Sequence, residues 1–296
     1  MESTILFGNG VNLLDGGISW NKLLMDLSKK YFLPPIQNNT LKYEYIILPQ
    51  KEKEQGGLAA DGMILCDKNN KRLTLPIHTE DNHKRTICQE LKKMKPSYFY
   101  SLLADLGFNH YITTNYELFL NQAFKERGFK NTVHAAEDRL YKHESFESND
   151  RSVTIWNIHG DTDDEKSIML GLSEYCNYVA RIDRYLNSED VKQGQSWINL
   201  LFNTNVHIVG LGMAYEEIDL WNVLVTRKRM QRKDETACTN HIYYYTIQDE
   251  SFDLGKNQLL DALDVEVIDI DFDRSNDAYK NAYKDIYQRL SESLKS

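Results

Sequence analysis

The sequence has few cysteines, and they do not form the pairs that metal sites use. Cys66, Cys88, Cys176 and Cys238 are far apart, and no two of them make a Cys-x-x-Cys pair. Zinc ribbons need such pairs, and a disulfide framework needs several cysteines at close spacing in a secreted chain. The cysteine pattern therefore argues against both a zinc ribbon and a disulfide framework, and buried free thiols are expected.

The sequence also lacks a long apolar run and an excess of positive charge. No stretch approaches the roughly 18 apolar residues of a membrane span, and no basic region with a cleavage site precedes the first strand. With 44 acidic and 35 basic residues the formal net charge is −9, which does not suit a protein that coats nucleic acid or an anionic membrane. We expect a cytoplasmic protein with no membrane partner and at most indirect contact with nucleic acid.

Short apolar runs alternate with amphipathic segments along most of the 296 residues, of which 41% are hydrophobic. This pattern is typical of buried parallel strands joined by helices. We predict an α/β fold, a Rossmann-like and mostly parallel sheet of five or six strands with helices on both faces. The predicted strands are residues 5–7, 108–114, 153–158, 206–209, 241–247 and 265–270.

Residues 31–95 interrupt this pattern. Leu33-Pro34-Pro35 ends the first helix, and lysine, glutamate, asparagine and glycine then become frequent. Residues 63–66 and 72–75 flank a turn-like segment and predict a β-hairpin, while residues 43–48 indicate a further strand. We interpret 31–95 as a surface lobe inserted into one domain that comprises residues 1–296.

Glycine turns follow two of the predicted strands. Gly8 and Gly10 flank Asn9 after the first strand, and Gly210-Leu211-Gly212-Met213 follows the strand at 206–209. Glycine lets the backbone turn tightly and lets a ligand approach the main chain. Such turns are typical of nucleotide-phosphate binding, but a plain strand–turn is an equally good interpretation because the dinucleotide fingerprint is incomplete.

Two other strands end in side chains that can perform chemistry. Asn115 follows Thr113-Thr114 at the end of one strand, and His159 follows the strand at 153–158. In a parallel sheet both lie at the carboxyl edge, where open α/β sheets bind ligands. Each has a structural alternative, an asparagine that satisfies its own turn or a histidine bonded to a carbonyl, but we favour function for both.

Two charged segments have simpler explanations. Asp161, Asp163, Asp164 and Glu165 could form a metal site, but acids in a hydrophilic loop are more often solvated, and we expect no metal. Residues 227–233 contain five cations, and Glu216 and Glu217 precede them on the same predicted helix. This order complements the helix macrodipole, and an acidic partner or DNA backbone is the alternative for the cations.

In their order along the chain, the glycine turns and the polar strand ends resemble the sirtuin family. The matching segments are Gly8-Asn9-Gly10-Val11-Asn12 with Gly17-Ile18-Ser19-Trp20, Thr113-Thr114-Asn115-Tyr116-Glu117, Ile158-His159-Gly160 and Val209-Gly210-Leu211-Gly212. The family's patterns are Gly-Ala-Gly-x-Ser with a following Gly-Ile-Pro, Thr-Gln-Asn-x-Asp, and His-Gly. The resemblance covers about residues 3–30 and 96–270. It implies catalytic roles for Asn115 and His159, and NAD binding by Gly8, Asn9, Gly10, Asn12, Thr113, Thr114, Gly210, Gly212 and Met213.

The sequence departs from the deacylating sirtuins in ways that bear on its activity. Ser19, Thr114 and Glu117 replace a proline, a glutamine and an aspartate of the family's patterns, and the four zinc cysteines are absent. Because that zinc module helps shape the acyl-lysine cleft, the chain is more similar to the bacterial sirtuin-like proteins of antiphage defence. Those proteins cleave NAD to nicotinamide and ADP-ribose, and some act with a hexameric DNA-translocase ATPase.

The resemblance therefore implies an NAD glycohydrolase that acts in antiphage defence by depleting NAD, with NAD as substrate and no metal. A subunit that senses NAD or ADP-ribose without turnover is the first alternative, and a protein deacylase is the second. Because continuous NAD cleavage would kill the cell, we expect gating by assembly, as a homo-oligomer, with the ATPase as a partner. The candidate contact surfaces are the 31–95 lobe, the cations of 227–233 and a stripe on the last helix formed by Tyr279, Tyr283, Tyr287, Leu290 and Leu294.

Overall fold

The computed structural model describes residues 2–27, 36–47, 62–66, 72–76, 80–134, 136, 138–188, 194, 196–249 and 252–295. In these residues an eight-stranded sheet is accompanied by a separate two-stranded one. The strands are β1 Ser3–Phe7, β2 Gly62–Cys66, β3 Arg72–Pro76, β4 His110–Thr113, β5 Lys130–His134, β6 His143–Glu147, β7 Ser152–Asn157, β8 Asn205–Val209, β9 Ile242–Ile247 and β10 Val265–Ile270.

The helices connect these strands and cover the large sheet. They are α1 Gly10–Leu13, α2 Trp20–Leu27, α3 Asn39–Ile47, α4 Glu80–Leu91, α5 Tyr98–Asp105, α6 Phe119–Glu126, α7 Leu172–Leu186, α8 Trp197–Asn203, α9 Ile218–Lys233, α10 Leu254–Ala262 and α11 Ala278–Ser293. A 3₁₀ turn, Glu165–Ser167, precedes α7. None of the described helices combines the length and the apolar character needed to cross a membrane.

The large sheet has the strand order β10-β9-β8-β1-β4-β7-β6-β5. From β10 to β7 every neighbouring pair is parallel, so the carboxyl ends of six strands share one edge. β6 runs antiparallel to both β7 and β5. The predicted α/β fold with a mostly parallel sheet is confirmed.

β1 lies at the centre of the sheet and is apolar because both of its faces are covered. Leu6 packs into one core with side chains of α8 and α9, whereas Ile5 and Phe7 pack into another with α5 and α11. All three side chains are at most 1% exposed. A continuous apolar run is what a parallel strand between two helical layers requires.

β5 and β6 were not predicted from the sequence. β5 is exposed along its whole length, and β6 buries only Phe146, so neither strand has an apolar run or the alternation of a half-buried strand. The sheet therefore has eight strands where the sequence predicts five or six. The two strands that were not predicted, β5 and β6, form the antiparallel edge of the sheet, where burial places little constraint on the sequence.

The predicted strand at residues 43–48 is wrong, because residues 39–47 form α3. Tyr43 and Ile46 are one helical turn apart and are buried against Leu23 and Leu24 of α2. Helical spacing, not alternation, therefore governs this segment.

The two-stranded sheet pairs β2 with β3 in antiparallel register, with Met63 opposite Leu75. Residues 31–35, 48–61, 67–71 and 77–79 of the predicted lobe lie outside the described residues. The interpretation of 31–95 as one inserted lobe therefore stays a prediction.

Two of the candidate contact surfaces are partly internal. Tyr283 and Leu290 of α11 are 3% and 0% exposed and pack against the sheet, whereas Tyr279 is about half exposed. Arg227, the first cation of 227–233, is fully buried, donates to the carbonyl and side-chain oxygens of Asn240 and lies 3.7 Å from Asp264. Arg227 and the buried residues of the stripe therefore stabilise the monomer, and Tyr279 stays available for a contact.

Candidate active site

The loops at the carboxyl edge enclose two adjacent cavities, and most of the predicted site residues line one or the other. The asparagine–histidine pocket, about 240 Å³, is lined by Asn9, Thr114, Asn115 and His159 among others. The glycine-turn pocket, about 590 Å³, is bordered by Gly10, Gly210 and Gly212. The structure thus brings Asn115 and His159 together from the ends of β4 and β7.

The other predicted residues lie behind these pockets. The Thr113 hydroxyl accepts a hydrogen bond from the Asn115 amide at 3.0 Å, and the Gly8 carbonyl accepts one from the Asn115 side chain. Asn12 and Met213 are both buried. These residues shape the site without lining either cavity.

The side chain of Asn115 has a fixed orientation. Its Nδ2 donates to the Gly8 carbonyl at 3.3 Å and to the Tyr100 hydroxyl at 3.1 Å. A carbonyl can only accept, so the nitrogen must be the atom on that side. Oδ1 has no hydrogen-bond partner among the described residues, and it is the atom left to accept a hydrogen bond from a ligand or water.

A buried polar network supports this asparagine. Glu117 Oε1 lies 2.8 Å from Asn12 Nδ2 and 2.7 Å from the Tyr100 hydroxyl. Burial raises the pKa of the Glu117 carboxyl, against the opposing effect of the hydrogen bonds from Tyr100 and Asn12. Asn12 in turn donates to Asn9 Oδ1 at 2.8 Å, which connects the network to the first glycine turn.

His159 is held by an aspartate that sequence reasoning missed. Its Nε2 lies 2.8 Å from Oδ2 of Asp219, which belongs to the first turn of α9 and is 0% exposed. Burial lowers the pKa of His159, but the charge and hydrogen bond of Asp219 together with the charge of Glu217 outweigh it, so the pKa lies above the ordinary value of 6.5. With Nε2 donating to Asp219, Nδ1 carries the lone pair; the Tyr175 hydroxyl lies 3.4 Å from it.

Glu217 adds a second carboxylate beside the histidine. Its Oε2 is 4.0 Å from His159 Nε2, and burial raises its pKa to about 7. Neither this oxygen nor Asp219 Oδ1 has a hydrogen-bond partner within the described part of the chain. One ligand atom from each of His159, Glu217 and Asp219 lies within 4.8 Å of the others, so the three could also hold a cation.

The acidic loop after His159 is neutralised by lysines. Asp161 Oδ2 lies 3.4 Å from Lys142, and Asp163 lies 3.4 Å from Lys92. Asp161 Oδ1 also accepts hydrogen bonds from the amides of Asp163 and Asp164. The cluster that could hold a cation is therefore a different one from the loop considered in the sequence.

The two glycine turns pack directly on each other. The Gly10 amide donates to the Gly210 carbonyl at 2.7 Å, and a Cβ at Gly10 would lie 2.7 Å from that carbonyl oxygen and from the Tyr283 hydroxyl. A Cβ at Gly8 would lie 2.9 Å from the Leu211 Cα. Protein atoms alone therefore require glycine at positions 8 and 10, and the approach of a ligand to these residues stays a prediction. Only Gly212, of the glycines in these two turns, has open space where its Cβ would be.

The second turn also contains a strained residue. Met213 is fully buried and has φ of 45°, a conformation that costs energy for a side chain of this kind. Gly212, the residue before Met213, is held by Lys256, whose Nζ donates to the Gly212 carbonyl at 2.8 Å. The same ammonium lies 5.7 Å from the centre of the Tyr244 ring. Lys256 and Tyr244 line the glycine-turn pocket and were not identified from the sequence.

The family model described as the SIR2-like domain matches residues 109–268, more than half of the chain. The chain belongs to the SIR2-like family. The matched range contains Asn115, His159, Asp219 and the second glycine turn of this SIR2-like protein, and the predicted resemblance to sirtuins is confirmed.

A curated relative is the NAD(+) hydrolase ThsA of Bacillus cereus (strain MSX-D12). It is 23% identical over 246 residues, which cover 79% of this chain and 45% of the relative. The SIR2-like chain thus spans less than half the length of that protein.

Proposed function

We propose that this SIR2-like protein hydrolyses NAD to nicotinamide and ADP-ribose. The observation that carries the proposal is the meeting of Asn115 and His159 in one pocket beside the larger glycine-turn pocket. Membership of the SIR2-like family and the name of the Bacillus cereus relative support NAD as the substrate. The two cavities suit the two halves of a dinucleotide.

In this proposal the nicotinamide and its ribose occupy the asparagine–histidine pocket. The pyrophosphate and adenosine lie in the glycine-turn pocket, where Gly212 presents main chain without a side chain. The turn around Asn9 and Gly10 separates the two cavities and contributes a residue to each.

Cleavage breaks the bond between the nicotinamide nitrogen and C1′ of the ribose. The ring is cationic in NAD and leaves as neutral nicotinamide, so positive charge develops on the ribose and no strong acid is needed. The carboxylate of Asp219, and Glu217 when ionised, stabilise that charge from a buried site, where electrostatic effects are stronger than in water.

A water molecule completes the reaction by attacking C1′. Oδ1 of Asn115 accepts a hydrogen bond from this water and orients it, because Nδ2 is already held by Gly8 and Tyr100. Nδ1 of His159 accepts a proton, from the water or from a ribose hydroxyl, while Asp219 holds the ring by Nε2. The products are ADP-ribose, nicotinamide and one proton.

The test is to incubate the purified chain with NAD and measure nicotinamide release, with and without a candidate ATPase partner. We expect release by the wild type under at least one of these conditions. If NAD bound without any release in both, the protein would be a sensor of NAD or ADP-ribose, and the proposal would be wrong.

We propose further that the protein is an antiphage effector that depletes NAD. The expected result is that cells producing the wild type lose NAD on phage infection and limit phage growth, whereas cells producing His159→Ala do neither. Equal protection by both proteins would contradict a role for NAD depletion.

Assembly is proposed as the means of control. The protein would act as a homo-oligomer together with a hexameric DNA-translocase ATPase, and the exposed cations Arg229, Arg232 and Lys233 at the end of α9 are available for contact. Light scattering of the chain, alone and mixed with the ATPase, tests this. A monomer that cleaves NAD at full rate without a partner would contradict it.

A further inference from the structure

A third cavity, of about 590 Å³, lies beside α7, on a face next to the one that borders the asparagine–histidine pocket. Tyr175 of α7 lines that pocket beside His159, whereas Asn177 and Arg181 of the same helix line the third cavity. The segment before β6 and the loop before α7 form the other walls. This cationic cavity contains none of the predicted NAD-binding residues.

The cationic cavity is lined by five basic side chains and two acidic ones. The basic residues are Arg139, Lys142, Lys166, Arg181 and Arg184, and the acidic ones are Asp164 and Glu174. The whole chain carries a formal net charge of −9, so this excess of positive charge is local. A concave cationic surface on an acidic protein concentrates anions from solution.

Both acidic side chains of the cavity are already engaged. Glu174 forms an ion pair with Lys84, and its Oε2 accepts hydrogen bonds from the amides of Leu170 and Gly171. Asp164 lies 3.9 Å from Lys142. Neither acid is therefore available to neutralise the arginines.

The arginines are less fully paired. Arg181 lies 3.6 Å from Asp138, but Arg139 and Arg184 have no acidic partner in the described ranges. The Nε of Arg139 is buried and has no hydrogen-bond acceptor among the described residues. Buried polar atoms are normally satisfied, so this nitrogen still needs an acceptor, from water or from a ligand.

The dipole of α7 explains only part of this arrangement. Arg184 lies in the last turn of α7, where a cation is favourable. Arg139, Lys142 and Lys166 belong to other segments and converge on the same space, so helix electrostatics do not explain their position. Arginine forks are suited to phosphate because they form two parallel charge-assisted hydrogen bonds.

We propose that the cationic cavity binds a small phosphate-bearing ligand of nucleotide size, with Arg139 and Arg184 contacting its phosphates. The volume lies in the range of small-molecule sites, which is about 300–1,000 Å³. The site is distinct from the NAD site and does not depend on NAD cleavage. A ligand there would contact the helix that holds Tyr175 beside His159.

The test measures binding of inorganic pyrophosphate and of ADP to the full chain by isothermal titration calorimetry. The variants are Arg139→Gln, Arg184→Gln and the two combined. The matched control is Arg229→Gln with Arg232→Gln, which removes the same charge from exposed positions on α9. Circular dichroism and thermal unfolding verify that each variant is folded.

We expect pyrophosphate to bind the wild type and the control equally. Each substitution in the cavity should weaken binding about tenfold, because it removes a charge-assisted hydrogen bond. Arg184 is exposed, so Arg184→Gln should fold even if changes at Arg139 do not.

Two results would overturn the proposal. One is the absence of pyrophosphate binding to the wild type at millimolar concentration. The other is binding that the cavity variants leave unchanged, which would place the anion elsewhere, for example at the glycine turns. Neither result would bear on NAD hydrolysis, which is measured separately.

Discussion

The two pockets at the carboxyl edge are built in different ways. In the asparagine–histidine pocket, hydrogen bonds to Asn115 and His159 fix the reactive groups. Beside the glycine-turn pocket, main-chain atoms of Gly10 and Gly210 touch, and this contact leaves no room for a side chain at either position. Substitutions in the asparagine–histidine pocket should therefore lower the catalytic rate of a protein that still folds. Substitutions of the turn glycines should instead lower folding stability or NAD affinity, depending on which glycine is changed.

The largest expected effect is the loss of NAD cleavage in Asn115→Ala and in His159→Ala. Each removes a group proposed to position or accept a proton in the transition state, a contribution of roughly 10²–10⁴-fold in rate. Both variants should still fold and bind NAD, although His159→Ala should unfold at a lower temperature because it leaves the buried Asp219 without its partner. The controls are Asn131→Ala and His134→Ala, which change the same residue types on the exposed strand β5. Near wild-type turnover in either site variant would show that the chemistry is assigned to the wrong residue.

Asp219→Asn is expected to lower the rate by about 10- to 100-fold and to move the pH profile. His159 acts as a base only when neutral, so wild-type activity is lost as the pH falls through its raised pKa. Removing the Asp219 charge leaves burial, which lowers that pKa, so the acid limb of kcat/KM should shift to lower pH.

The pH profile of Glu217→Gln provides the control, because the pKa of Glu217 is about 7 and it titrates in the same range. If the acid limb disappeared in Glu217→Gln and stayed unmoved in Asp219→Asn, the titrating group would be Glu217. The Asp219–His159 pair would then not set the pH dependence.

Gly10→Val and Gly212→Ala should have different effects, because Gly10 is packed against protein atoms and Gly212 faces open space. A valine at position 10 meets the Gly210 carbonyl and the Tyr283 hydroxyl, and this overpacking should cost about 1–3 kcal/mol of folding free energy. An alanine at 212 has open space, so it should leave stability unchanged and raise KM for NAD. Urea unfolding and steady-state kinetics measure the two effects. If both substitutions lowered the free energy of unfolding equally, the proposed difference between Gly10 and Gly212 would be wrong.

The smallest expected effect is that of Lys256→Ala. Its ammonium donates to the Gly212 carbonyl from a partly buried position, so KM for NAD should rise only a few-fold, in line with about 1 kcal/mol for one hydrogen bond. The matched control Lys284→Ala removes an exposed charge from α11. A change in kcat without a change in KM would show that Lys256 acts on the chemistry.

The sequence predicted the part of the fold whose pattern is dictated by burial. β1, β4 and β7 to β10 are enclosed by helices, and their apolar runs identify them. β5 is a solvent-exposed edge strand, and its polar residues carry no such signal. α3 was missed because Tyr43, Tyr45, Ile46 and Ile47 are as suitable for a strand as for a helix, and only packing against α2 decides.

The candidate site was predictable where it follows strand ends. Asn115 and His159 come directly after β4 and β7, and parallel pairing brings such positions together. Asp219 lies 60 residues after His159, in a helix whose acidic first turn is already explained by the macrodipole. No local signal distinguishes an aspartate that faces a histidine from one that faces water.

The central position of β1 has a consequence for the order of folding. β1 pairs with β4 on one side and with β8, about two hundred residues later, on the other. Contacts between such distant segments form slowly, and this one cannot form until β8 has been synthesised. A chain interrupted before residue 205 would leave one edge of β1 unpaired and would lack the Gly210 turn. The proposed toxic activity could then arise only in molecules whose synthesis has passed β8.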